Sequence, residues 1–157
     1  MTIAKTIEAA LADLNKFLQL ESWFGRENEV VNLYCHRFLL RNDVSGKISP
    51  AQCGIEVAVR QLPGEKNKLL VRKDIVIWAN DCETVWNPSG EPKNTPIAIL
   101  EWKVNSVRNC QYDIEWLCRY TEMYPSVIGY SVCANVNNVK KNRGIKYWKI
   151  QNGKIVT

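Results

Sequence analysis

Histidine is almost missing from this chain: His36 is the only one among 157 residues. That argues against the usual Ser-His and Cys-His nucleophile systems, which need an imidazole to take the proton. His36 lies off the apolar stripe of its segment, beside Arg37, and reads as a surface residue. Cysteine is present but never as C-x-x-C; the six lie at 35, 53, 82, 110, 118 and 133. Without that paired spacing a structural zinc site is not expected. Cys35, Cys53, Cys118 and Cys133 fall in apolar segments, so reduced, structural cysteines are the expectation. No stretch approaches the ~18 apolar residues of a membrane span. Residues 1–20 carry Glu8 and Asp13 and do not read as a signal peptide. A cytoplasmic protein with no membrane partner is therefore expected.

Acids are missing from one end. From Val139 onward the chain holds Lys140, Lys141, Arg143, Lys146, Lys149 and Lys154 and no Asp or Glu, more positive charge than the +5 of the whole chain. Basic residues grip phosphates, and aromatic faces stack on unpaired bases. Lys140, Lys141, Arg143, Lys146 and Trp148, with Arg108 upstream, are the candidate nucleic-acid contacts. The alternative is a solvated hairpin whose aromatics pack on the core.

The length fits one domain spanning 1–157. Ile3, Ile7, Ala10, Leu11, Leu14 and Leu18 form one stripe of a helix over 3–20. It serves to cover a sheet and is a possible homodimer surface. A second helix is expected from about Gly25 to Leu40. A strand over Gly54–Leu62 points Ile55, Val57 and Val59 inward and Glu56 and Arg60 outward. Further strands are expected over Leu69–Ala79, 96–104 and Val127–Val136. A helix from about Asn109 to Tyr124 precedes the last of these. Asn42–Gly46 and Pro63–Asn67 read as turns, and Asn80–Thr95 as a long, mobile flap. Asn152-Gly153 closes a terminal hairpin.

Two of the strands hold residues that a core does not want. Arg72-Lys73-Asp74-Ile75-Val76-Ile77-Trp78 carries Asp74, and Pro96-Ile97-Ala98-Ile99-Leu100-Glu101-Trp102-Lys103-Val104 carries Glu101 and Lys103. Alternation puts Glu101 and Lys103 on one face. Buried charges need a partner or a metal. An exposed i,i+2 pair at a fraying strand end, with Asp74 capping a turn, is the plainer reading.

An upstream strand Asp followed by Glu-x-Lys resembles the PD-(D/E)xK nuclease superfamily, also called restriction-endonuclease-like. The matching residues are Asp74 and Glu101-Trp102-Lys103; the name-giving Pro is replaced by Lys73. The resemblance covers about residues 24–135. It implies an α/β fold with an αβββαβ core, a mixed central sheet flanked by helices. The chain would add a helix in front and a basic hairpin behind.

The resemblance also implies a metal-dependent nuclease that hydrolyses DNA phosphodiester bonds, with an endonuclease expected. Mg²⁺ or Mn²⁺ would be held by Asp74, Glu101 and the Trp102 backbone carbonyl, with Lys103 beside it. Partial desolvation next to a metal predicts a lowered Lys103 pKa. Members often add a Glu from the first core helix. Glu27 sits in the stripe of Val30, Val31, Tyr34 and Phe38, and Glu29 points nearly opposite, so Glu27 is preferred. Gln111 and Asp113 open the later helix; Asp113 lies on its inner face, although first-turn acids also simply favour helix starts. Arg119 is either a phosphate contact or a surface charge. The competing class is a non-catalytic nucleic-acid-binding or protein-interaction domain on the same fold.

Overall fold

The computed structural model describes residues 2–41, 48–65, 67–137 and 142–156. The turn expected at Asn42–Gly46 lies outside them, as do Lys66, Lys140 and Lys141.

The chain is α/β, built on one mixed sheet of six strands. The strands are β1 (Cys53–Arg60), β2 (Leu70–Ile77), β3 (Ala98–Val104), β4 (Ile128–Asn135), β5 (Gly144–Gln151) and β6 (Lys154–Ile155). They lie in the sheet in chain order. Every neighbouring pair is antiparallel except β3 and β4. A parallel pair needs a crossover, and α3 (Cys110–Met123) supplies it. The Asn152-Gly153 turn is in place between β5 and β6, but β5 is a full strand of the main sheet rather than an appended hairpin.

Helices cover both faces. On one, α1 (Ile3–Leu20), α2 (Glu27–Leu33) and the helical turn that follows it pack Leu11, Leu14, Val30 and Tyr34 on Ile75, Leu100, Trp102 and Val132. On the other, Trp116, Leu117 and Tyr120 of α3 pack on Val59, Val76, Ile99 and Ile150. Two-sided burial explains why β2, β3 and β4 read as near-continuous apolar runs. Most of the α1 stripe is used in this way: Ile7, Leu11, Leu14 and Leu18 are buried against the chain's own core. The second helix departs from expectation. It is α-helical only to Leu33 and continues as a π-helical segment over Tyr34–Leu39, which widens each turn by a residue.

The alternation expected in β1 also breaks down. Ile55 joins the α1/α2 side, whereas Val57 and Val59 join the α3 side. Between them Glu56 is left-handed, with φ 53°. A non-glycine residue there is uncommon and strained, and such positions cluster at functional sites. The segment expected to be a mobile flap is pinned. Trp86 bridges to Pro92, the Asn94 side chain donates to the carbonyls of Thr84 and Trp86, and Val85 is buried.

Two further expectations are corrected. Cys110 at the start of α3 is joined to Cys133 in β4, leaving Cys35, Cys53, Cys82 and Cys118 free. The two lie on facing elements but 23 residues apart, so no sequence spacing announced the bond. Arg143, placed above among the phosphate contacts, is buried. Its Nε donates to Leu18 O, one terminal nitrogen to Val136 O and Asn137 O, and the other to Glu21 O and Trp23 O. A guanidinium has five N–H donors, so none remains for a phosphate. Arg143 ties the end of α1 to the segment between β4 and β5. Among the described residues no helix is long and apolar enough to cross a membrane.

Arg143→Met should therefore cost at least about 3 kcal/mol of folding stability in urea denaturation, because it orphans several buried carbonyls. Nucleic-acid affinity of the folded variant should be unchanged. A stable variant that no longer binds would restore the phosphate role.

Candidate active site

The site forms where β2 and β3 part. Their register runs from Ile77↔Ala98 to Ile75↔Leu100 and goes no further. Beyond that point the carboxylates of the two strands take over the ladder. Asp74 Oδ2 accepts from the backbone N–H of Trp102 at 2.6 Å, and Glu101 Oε2 accepts from the backbone N–H of Asp74 at 3.2 Å. The fork thus fixes both carboxylates without help from any loop. Opposite Asp74, on β1, stands the left-handed Glu56, where the β1–β2 ladder also skips a pair.

Glu101 is 6% exposed and contacts the ammonium of Lys73, itself 5% exposed. The same ammonium lies 3.5 Å from the centre of the Trp116 ring on α3. Burial pushes the Glu101 carboxyl up to about 7, against the pull of Lys73.

Lys103 projects toward α3, on the side of Glu101, and meets Asp113 at 3.1 Å. It also donates to the Trp102 carbonyl at 2.9 Å. The expected fall of its pKa is not found. Burial pushes the ammonium down, but Asp113, Glu27 and Asp74 together outweigh it and the net shift is upward. Asp113, also raised by burial, is thus a member of this cluster and more than a helix-start acid.

Glu27 comes from the first turn of α2, on the other face, and is half-buried. Burial raises its pKa; Lys103 lowers it, and Asp74, Asp113 and Glu56 raise it further. It lines a cavity of about 530 Å³ with Asp74, Glu56, Arg26, Asn28 and Asn32. Glu29 is exposed and instead accepts from the backbone N–H of Arg26 at 2.7 Å, holding the start of the helix. The stripe geometry thus separated the two glutamates as the structure does.

Among the described residues no three His, Cys, Asp or Glu side chains converge into a ready-made metal cage. The donor chemistry nonetheless fits Mg²⁺ or Mn²⁺. Glu27, Asp74 and Glu101 offer hard oxygen ligands, and such ions keep several waters, so few protein ligands are needed. Three carboxylates of the cluster, Glu27, Glu101 and Asp113, are held above their ordinary range, chiefly by burial. The Trp102 carbonyl has one lone pair engaged by Lys103 and one left.

The proposed nucleic-acid contacts divide. Lys103, Cys133 and Lys146 are in register across β3, β4 and β5, which puts the exposed Lys146 on the same sheet face as Lys103, about 10 Å away by strand spacing. Arg108 is exposed just before α3. Trp148 is half-buried against the α3-side core, with Lys146 Nζ 5.0 Å from its ring centre. Gln111 pairs with Glu115 and Arg119 with Glu65, both outside this cluster. His36 is exposed. Lys73 and Glu56 were missed by sequence reasoning. The first stood out only as the residue replacing a proline, and the second is set by a dihedral angle.

Comparison with protein-family models, with curated proteins and with solved structures finds no match.

Glu27 gives a pH prediction. Its folded pKa lies above the unfolded value, so its favourable contribution is fully present below the unfolded pKa and lost as pH rises through the folded pKa. Glu27→Gln should raise the Tm of the metal-free protein at pH 8, and the gain should vanish near pH 4. A lowered Tm at pH 8 would contradict the charge excess.

Proposed function

We propose that the chain is a metal-dependent nuclease of the PD-(D/E)xK kind, with a restriction-endonuclease-like core, that hydrolyses DNA phosphodiester bonds as an endonuclease. The observation that carries this reading is the β2–β3 fork. The Trp102 N–H fixes Asp74 and the Asp74 N–H fixes Glu101, with Glu27 and Lys103 around them and a cavity open beside Asp74. The succession of α2, β1, β2, β3, α3 and β4 supports it, being the order the resemblance implies.

When bound, a divalent ion would supply an activated water and polarise the phosphoryl oxygen. Asp74, Glu101 and Glu27 are the residues to hold it, with the Trp102 carbonyl as a further donor. Lys103 stays an ammonium, because Asp113 and the neighbouring carboxylates favour its charge. Its work is therefore electrostatic: it orients the attacking water and faces the charge that grows on the phosphoryl oxygens. Asp113 aims it. Lys146 and Arg108 extend positive charge away from the fork, where they meet backbone phosphates.

The test is cleavage of supercoiled plasmid and single-stranded DNA with Mg²⁺ or Mn²⁺. Wild type should nick or cut, and Asp74→Ala and Lys103→Ala should each lose about 10²–10⁴-fold in rate. Absence of cleavage, with DNA binding intact in EDTA, would favour the non-catalytic binding domain instead.

A further inference from the structure

We infer that the Cys110–Cys133 disulfide positions Asp113 against Lys103 and thereby makes cleavage depend on thiol redox state. This rests on the nuclease reading above. Cys110 opens α3, and Asp113 lies three residues on, in the same turn. Cys133 on β4 is the register partner of Lys103 on β3. The covalent bond and the Lys103–Asp113 ion pair therefore run side by side, from the first turn of α3 to neighbouring positions of the sheet.

Little else holds that turn. Its N-cap, Asn109, makes no side-chain hydrogen bond among the described residues, so the first N–H groups of the helix have no cap. Apart from Cys110 itself, the buried apolar residues of α3 begin after Asp113, with Ile114, Trp116, Leu117 and Tyr120. Leu117 packs so closely on Gly129 of β4 that a Cβ there would lie 3.1 Å from it. The body of the helix thus stays on the sheet without the bond, whereas its first turn depends on it.

Opening the bond takes two electrons, which a dithiol supplies. Cys133 lines an open cavity of about 600 Å³, the side from which a small dithiol reaches its sulfur. One thiolate of the dithiol attacks Cys133 Sγ, the S–S bond breaks, and Cys110 leaves as a thiolate that takes up a proton. The second thiol of the dithiol then closes on the first as a cyclic disulfide, and Cys133 is released and protonated in turn. Two thiols occupy more space than one S–S bond, and Cys110 and Cys133 are only 1% and 5% exposed. The uncapped turn is the part that gives way, and Asp113 moves off Lys103. Cys110, Cys133 and Asp113 are positioning residues; none of them has to touch the phosphodiester.

Bond and rate are read in the same samples. The full chain is equilibrated with reduced and oxidised dithiothreitol in varied ratio. One portion is acid-quenched, alkylated and peptide-mapped, which keeps this bond apart from any that forms between Cys35 and Cys53, whose sulfurs lie 3.9 Å apart. The other is assayed for plasmid cleavage with Mg²⁺. As the Cys110–Cys133 bond opens, kcat should fall about tenfold with KM for DNA unchanged, and it should return on reoxidation. Asp113→Asn should be slow throughout and lose its dependence on the buffer, which a merely structural bond would not predict. A kcat indifferent to the bond would overturn the inference and leave the nuclease reading intact. So would a bond that never forms, one that excess dithiol fails to open, or a reduced chain that unfolds by circular dichroism. No cleavage in any buffer would overturn both.

Discussion

The site depends on two hydrogen bonds that replace a backbone ladder. Where β2 and β3 separate, the N–H groups of Trp102 and Asp74 lose their strand partners. An unpaired buried backbone donor is costly, comparable to a lost hydrogen bond. The carboxylates of Asp74 and Glu101 accept these donors. The same two bonds open the sheet, fix the acids and hold them where the strands no longer fill the space. Stability and chemistry are thus coupled at one point. A substitution here removes a ladder partner as well as a candidate ligand.

Around that point the protein gathers more acid than it neutralises. Glu27 reaches in from α2 on one face, and Asp113 from α3 on the other. A fork in a sheet is one of few places where side chains from both covering layers can meet. The left-handed Glu56 helps make it so, since the strand carrying it switches faces there. The lysines divide the work. Lys73 is enclosed and orients Glu101, whereas Lys103 is half-buried and faces Asp113. In charge and strain, this region works against the fold, as functional sites commonly do.

The strands and helices were legible because their apolar periodicity was strong and Pro, Gly and Asn bounded them. Asp74, Glu101 and Lys103 were legible because each is a charge in an apolar run. Glu27 separated from Glu29 by helical phase alone. Other features depend on partners distant in sequence. Arg143 looked like part of a phosphate-binding tail, since nothing local says that its five donors meet carbonyls from residues 18 to 137. The Lys103 pKa was expected to fall with desolvation, but Asp113, on another element, reverses it. Lys73 was hidden by the motif itself, which gives that position to a proline. The left-handed Glu56 and the π-helical segment have no composition signature.

The central claim is that the fork lacks positive charge and takes a divalent cation. Thermal unfolding of the wild-type protein at pH 8 and constant ionic strength, with and without Mn²⁺, tests it most directly. An ion that binds only the folded state raises Tm as its concentration passes Kd. The account predicts a rise that grows with Mn²⁺ and is lost in Asp74→Ala. An unchanged Tm up to millimolar Mn²⁺ would contradict it.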